Sequence, residues 1–107
     1  MIHRTVTYAP EAEEDLLSLF DHIADAASEA VAAGYLGRVK VWLEGFSTAS
    51  ERGTRRDDLR PGLRTVGFER RLTVAFMVTE DTVVILRVFS GGQNWSARLE
   101  DGGGSGD

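Results

Sequence analysis

The chain has 107 residues, 42% of them hydrophobic, which suffices for one small domain with a single core and does not call for a second. With no cysteine it can form neither disulfides nor thiolate metal sites, and with no run of about 18 apolar residues it is expected to be soluble and cytoplasmic rather than membrane-spanning or secreted. The net charge of −5 makes it a poor general binder of polyanions, so any such contact has to be local and directed.

Residues 2–7, IHRTVT, alternate in a β-branched run and predict a half-buried first strand. Pro10 then suits the first turn of a helix, with Glu11, Glu13, Glu14 and Asp15 at the positive end of its dipole. Ala12, Leu16, Leu19, Phe20, Ile23 and Ala27 recur at helical spacing, giving one buried face and an acidic outer face. Ser28 predicts the N-cap of a second helix whose apolar positions include Val31, Tyr35, Leu36, Val39, Trp42, Leu43 and Phe46. Gly34, Gly37 and Gly45 either weaken that helix or let a neighbour approach closely, and both readings stay open here.

Residues 47–59 read as a polar loop. Three short strands follow, GLRTVGF, RLTVAFMV and VVILRVF, with too few residues between them for crossover helices, so an antiparallel meander is expected. In the second of them Leu72, Val74, Phe76 and Val78 share one face, and Thr73, Ala75 and Met77 the other. In the third, strict alternation puts Arg87 on the face of Ile85 and Phe89, where it is either half-buried and paired or part of a functional surface. The expected fold is α+β and two-layered: first strand, helical hairpin, three-stranded meander, within one domain over residues 1–99. Residues 100–107, EDGGGSGD, are expected to be a disordered tail.

Charge is distributed unevenly. Between Arg52 and Arg71 seven arginines face three acids, a local +4 in an acidic chain. At the centre lies DLRPGLR, residues 58–64, in which Pro61 fixes φ and Gly62 accepts a positive one, so Arg60 and Arg64 stand at opposite ends of a tight bend. Each arginine either binds an internal acid such as Asp57 or Asp58 or faces outward for a partner. Gly91 and Gly92 predict a turn and not a nucleotide loop, because no Gly-Lys-Ser/Thr follows. Trp95 reads first as a packing anchor. The acids of the first helix lack a histidine partner, so no metal is expected, and nothing in the chain asks for a cofactor.

YAPEAEEDLLSLFDHIA, RRDDLRPGLRTV and VVILRVFSGGQNW together resemble the RelE/ParE toxin superfamily of bacterial type II toxin–antitoxin modules, and its ParE branch most closely. The resemblance implies a toxin that poisons DNA gyrase by binding, without catalytic residues of its own, and that a ParD-like antitoxin neutralises by wrapping a partly helical segment around it. On that basis the target-binding residues are Arg60, Pro61, Gly62, Arg64, Arg71, Arg87 and Trp95, and the antitoxin-binding residues Leu16, Phe20, Leu36, Trp42 and Phe76. Where many relatives read LHGRRDW this chain has FSGGQNW, so charge is lost at that end.

Two other readings stand beside it. One is a RelE-like ribosome-dependent mRNA endonuclease, which needs a general acid and base near the phosphate. The candidates, His3, His22, Tyr8, Tyr35 and Lys40, are scattered in pattern, and arginine alone is a poor base. The other is a toxin-shaped interaction module without toxicity.

Overall fold

The computed structural model describes residues 3–90. Strand β1 (Thr5–Tyr8) leads into helix α1 (Pro10–Ala26) and helix α2 (Glu29–Glu44), which ends in a 3₁₀ turn (Gly45–Ser47). A two-residue strand β2 (Thr54–Arg55), then β3 (Leu63–Phe68), β4 (Leu72–Val78) and β5 (Thr82–Ser90) complete the chain order. The five strands form one mixed sheet in the order β1-β5-β4-β3-β2, with β1 parallel to β5 and the remaining pairs antiparallel. The α+β class and the meander agree with the sequence expectation. The expected loop over 47–59 also contains β2, and the first strand begins at Thr5 because Arg4 is already engaged elsewhere: its backbone N–H donates to the Ser47 carbonyl, and its guanidinium to the Thr79 carbonyl and Ser50 Oγ.

Local chemistry explains the helix boundaries. Pro10 occupies the first turn of α1, where a missing N–H costs nothing, and Ser28 Oγ accepts the Val31 N–H at 3.1 Å to cap α2. The hairpin packs on one face of the sheet, joining Ala12, Leu16, Tyr35, Val39, Leu43 and Phe46 to Leu72, Val74, Phe76, Val83, Ile85 and Val88. Phe46 stands edge-on to both Trp42 and Phe76, with ring centroids 5.0 and 4.9 Å away.

One irregularity corrects the alternation read for β5. Ala75 pairs with Arg87 and the next residue, Phe76, with Ile85, so Leu86 is an extra residue in β5. This bulge changes the phase: Ile85 faces the helices, while Phe89 joins a second cluster with Leu63 and Ala75. Ile85 and Phe89 therefore do not share a face.

The pairing of β1 stops at Ile85, and among the described residues no strand continues along that side of β5. There α1 takes over. Asp15 accepts two hydrogen bonds from Arg87, from Nε at 2.7 Å and Nη2 at 2.9 Å, and a third from the Val88 N–H at 2.8 Å. Arg87 is thus half-buried and paired with the chain's own carboxylate, and its hydrogen bonds to Asp15 hold its pKa above the ordinary value. The guanidinium also stacks on Phe89, 4.9 Å from the ring centroid.

The β3–β4 turn carries strain. Glu69 and Arg70 both have positive φ, 52° and 60°, and the Arg71 N–H bonds back to the Phe68 carbonyl, the two-residue hairpin geometry that favours Asn-Gly. Two predictions follow from these features. Asp15→Ala strands the Arg87 charge and the Val88 N–H, and is expected to cost about 2–3 kcal/mol by urea denaturation, less in the double variant with Arg87→Met. Arg70→Gly relieves a left-handed residue and is expected to raise stability by about 0.5–1 kcal/mol in the same assay.

Candidate target-binding corner and partner groove

The loop between β2 and β3 is built from backbone hydrogen bonds. The Leu59 and Arg60 N–H groups donate to the Arg56 carbonyl, the Leu63 N–H to the Arg60 carbonyl, and the Arg56 N–H to the Leu63 carbonyl. Residues 60–63 form a tight turn with Pro61 second and Gly62 third, at φ 81°, as the sequence predicts. Gly53 fixes the other side of the loop. Its φ is 74°, and a Cβ there would collide with the Thr65 carbonyl oxygen and the Val66 side chain, so only glycine fits.

The two aspartates of the loop serve its own arginines and backbone. Asp57 accepts the Gly62 N–H at 2.8 Å and pairs with Arg55 at 3.2 Å; the first of these, followed by the second, holds its pKa below the usual aspartate value. Asp58 takes both ends of the Arg56 guanidinium, at 3.0 and 2.9 Å, which likewise lowers its pKa. Arg60 and Arg64 are left over. Arg60 is exposed, and Arg64, half-buried at the start of β3, donates to the Arg52 carbonyl at 3.2 Å; among the described residues neither forms an ion pair.

The structure thus brings together Arg60, Pro61, Gly62 and Arg64 and separates the other candidates from them. Arg71 is exposed beyond the far end of β3, roughly 20 Å away by strand length, and Arg87 is occupied by Asp15, which corrects its assignment to an outward-facing target set. Trp95 lies outside the described residues.

Among the residues expected to meet an antitoxin, Leu16 and Phe76 are buried in the core, 7% and 0% exposed, because the helical hairpin covers that face of the sheet; neither offers surface. Phe20 and Leu36 are half-buried. Trp42 is half-buried too, but it lines an open, mainly apolar groove of about 620 Å³ together with Gly34, Gly37, Arg38, Val41, Phe68 and Glu69. Val41 is 76% exposed, and Arg38 and Glu69 pair across the rim at 3.3 Å.

The groove glycines answer the question left open by the sequence. A Cβ at Gly34 or Gly37 would meet nothing within 4 Å, so among the described residues nothing requires glycine there, although each costs a helix interior about 1 kcal/mol. Val41 and Phe68 are not singled out in the sequence, where Val41 falls outside the apolar series of the second helix and Phe68 ends a short strand without a face of its own. The exposed apolar face of α2 emerges only when the packing of its opposite face is known.

Among the described residues no group of three His, Asp or Glu side chains is placed to hold a metal. The acid–base candidates are gathered only in part: His22 and the buried Tyr35 line one pocket with Arg70 and Arg71, whereas His3 precedes β1 and Lys40 lies on α2. Burial, with Glu44 beside it, pushes the Tyr8 hydroxyl up to about 12, so it remains protonated at neutral pH.

Residues 6–95 match the family model described as the ParE toxin of type II toxin–antitoxin systems, parDE. The chain belongs to the ParE toxin family. This ParE-family chain is 33% identical over 85 residues to Toxin ParE3 of Caulobacter vibrioides, spanning 79% of the chain and 84% of that relative. Its fold matches the chromosomal ParDE system from P. aeruginosa, with a TM-score of 0.72 at 21% identity, covering 82% of this chain and 96% of the other. It also matches the toxin–antitoxin complex RelBE2 from Mycobacterium tuberculosis, with a TM-score of 0.56 at 20% identity over 87% and 97% of the two chains. A ParE-type toxin of a type II module is therefore the class to which the corner and groove belong.

The Asp57 to Gly62 bond carries a pH signature. A depressed carboxylate pKa contributes stability that is complete above the ordinary aspartate value of 3.8 and is lost as pH falls through the lower folded value. In an NMR titration the Asp57 carboxyl is expected to titrate with a midpoint below 3.8, and the Gly62 amide shift to follow the same midpoint. Asp57→Asn should abolish the shared transition.

Proposed function

We propose that this ParE-family chain inhibits DNA gyrase by binding, with the Arg60-Pro61-Gly62-Leu63-Arg64 corner as the gripping element, and that a ParD-like antitoxin neutralises it by laying a helix along the α2 groove. The observation that carries the reading is the partition of charge in the loop. Asp57 and Asp58 take up Arg55 and Arg56 and leave Arg60 and Arg64 without a carboxylate of their own among the described residues. The turn fixes where the Arg60 side chain leaves the backbone, and its planar fork suits an acidic or phosphate partner, which favours Arg60 as a recognition group. Gyrase as that partner rests on membership of the family, and gyrase would supply the DNA-cleaving chemistry while the toxin holds the cleaved complex.

The groove supports the second half of the proposal. Its glycines lower the wall of α2, Val41 and Trp42 offer apolar surface, and a helix fits such a channel with anchors at three- and four-residue spacing. His22 and Tyr35 share a pocket with Arg70 and Arg71, but His3 and Lys40 lie on other elements and Tyr8 is held protonated by burial, which favours binding over ribonuclease chemistry that requires a full acid–base set.

Arg60→Ala and Arg64→Ala are each expected to abolish growth inhibition on expression without antitoxin, while circular dichroism and antitoxin affinity stay as in the parent. Purified chain should lower gyrase supercoiling and trap cleaved DNA. Cut messages on ribosomes with intact supercoiling would overturn the gyrase reading, and harmless expression of the parent would overturn toxicity itself. Val41→Glu places a charge in the groove and is expected to weaken the antitoxin complex by about 2 kcal/mol, some thirtyfold, by calorimetry, with toxicity unchanged.

A further inference from the structure

The cationic run does not end at the corner. Arg70 and Arg71, at the β3–β4 turn, meet His22 of α1 and Tyr35 of α2 around a second cavity of about 330 Å³, with Leu19, Ile23 and Leu72 as its apolar lining. Among the described residues no carboxylate lines this cavity, and neither arginine forms an ion pair.

Tyr35 supplies a second, independent feature. The residue is 7% exposed, yet its hydroxyl, shielded from solvent, has no hydrogen-bond partner among the described residues. A buried donor of this kind costs a folded chain free energy and is rarely kept. Its ring is held in place: the Arg38 guanidinium lies over it, 5.1 Å from the centroid, Glu69 pairs with Arg38, and the Phe68 ring packs at 6.2 Å. Burial, followed by the Glu69 charge, pushes the Tyr35 pKa up, so the hydroxyl remains a donor at neutral pH. Arg70 also stands at a φ of 60°, where glycine or asparagine is the easier choice, so a cation is kept at this rim against backbone preference. A donor without an acceptor beside two arginines without a carboxylate calls for an anion.

We propose that this cavity recognises a carboxylate on an apolar stem, the glutamate or aspartate of an acidic peptide segment with aliphatic neighbours, with Arg70, Arg71 and the Tyr35 hydroxyl as donors. The guanidinium fork matches the two carboxylate oxygens. Three aliphatic side chains in the lining cannot solvate a charge, so the ligand has to bring apolar surface of its own, which a bare phosphate lacks. A single charge also suits an acidic chain better than a double one, since each added charge meets the repulsion of the whole. Arg70 and Arg71 are exposed, and their side chains can turn aside quickly to admit it.

The cavity lies across the β3–β4 turn from the α2 groove, with Glu69 lining the groove and Arg70 and Arg71 the cavity. A partner seated in the groove would meet the cavity with the residues that run past the turn. That the carboxylate comes from this same partner rests on the proposed function; the preference for a carboxylate does not.

In a nuclear magnetic resonance titration of the full chain, acetyl-Leu-Glu-Leu-amide is expected to give saturable shifts at the Arg70, Arg71 and Leu72 amides and at the Arg71 Nε–H. The glutamine counterpart, acetyl-Leu-Gln-Leu-amide, should bind about tenfold more weakly. Tyr35→Phe removes a hydroxyl that has no partner to lose, so thermal stability should hold or rise while affinity for the glutamate peptide falls about tenfold. Arg70→Gly, which relieves the left-handed residue, should likewise gain stability and lose affinity several-fold, a combination that a purely structural role would not produce. Equal binding of the two peptides, displacement of the glutamate peptide by less inorganic phosphate than peptide, or a free chain destabilised by Tyr35→Phe would each overturn the proposal. An antitoxin complex indifferent to Val41→Glu would remove the groove reading and leave these peptide results untouched, so the two ideas fail separately.

Discussion

The Asp15 carboxylate holds the two layers of this protein in register. One oxygen takes both the Arg87 Nε–H and the Val88 N–H, and the other takes the second arm of the guanidinium. The need for it arises from strand lengths: β1 covers β5 only to Ile85, so the edge beyond would present an unpaired amide. A helix cannot extend a ladder, but a carboxylate on its second turn can cap one amide and neutralise the neighbouring arginine together. The bulge at Leu86 lies next to the same contact, and an extra residue of this kind twists a strand and breaks its ladder locally. With the clasp in place, Ile85 and Val88 face the helical core while Phe89 turns to the far side.

Charge follows a similar economy at the corner. The loop contains as many acids as are needed to satisfy Arg55, Arg56 and the Gly62 amide, and no more. In an acidic chain this leaves a small cationic feature against a repulsive background, the arrangement that favours a directed contact over general adhesion to polyanions. The groove along α2 lies on a different part of the surface, lined by Trp42 and Phe68, so the two proposed contacts need not compete for the same side chains.

Much of this was legible in the residues. Pro10 and Ser28 marked the helix starts, Pro61-Gly62 the turn, and the four apolar residues of β4 their face, because each signal is local and has a single cheap solution. Arg87 was only half legible: its dilemma between pairing and display was readable, but its face was not, because a bulge leaves no mark in a run of alternating apolar residues. Leu16 and Phe76 had the right chemistry for a partner surface and were placed in the core by packing, while Val41, of the same chemistry, was placed outside. The glycines of α2 became informative only once the space around them was known to be empty.

Gly53 and Gly62 bound the cationic loop at positions where a side chain is sterically or conformationally penalised. Between those two fixed posts the backbone route is set by main-chain bonds and one aspartate, and owes little to which side chains project from residues 55, 56 and 60. The segment therefore behaves as an exchangeable cassette: its outward chemistry can drift toward a different quarry while the frame that presents it keeps its shape.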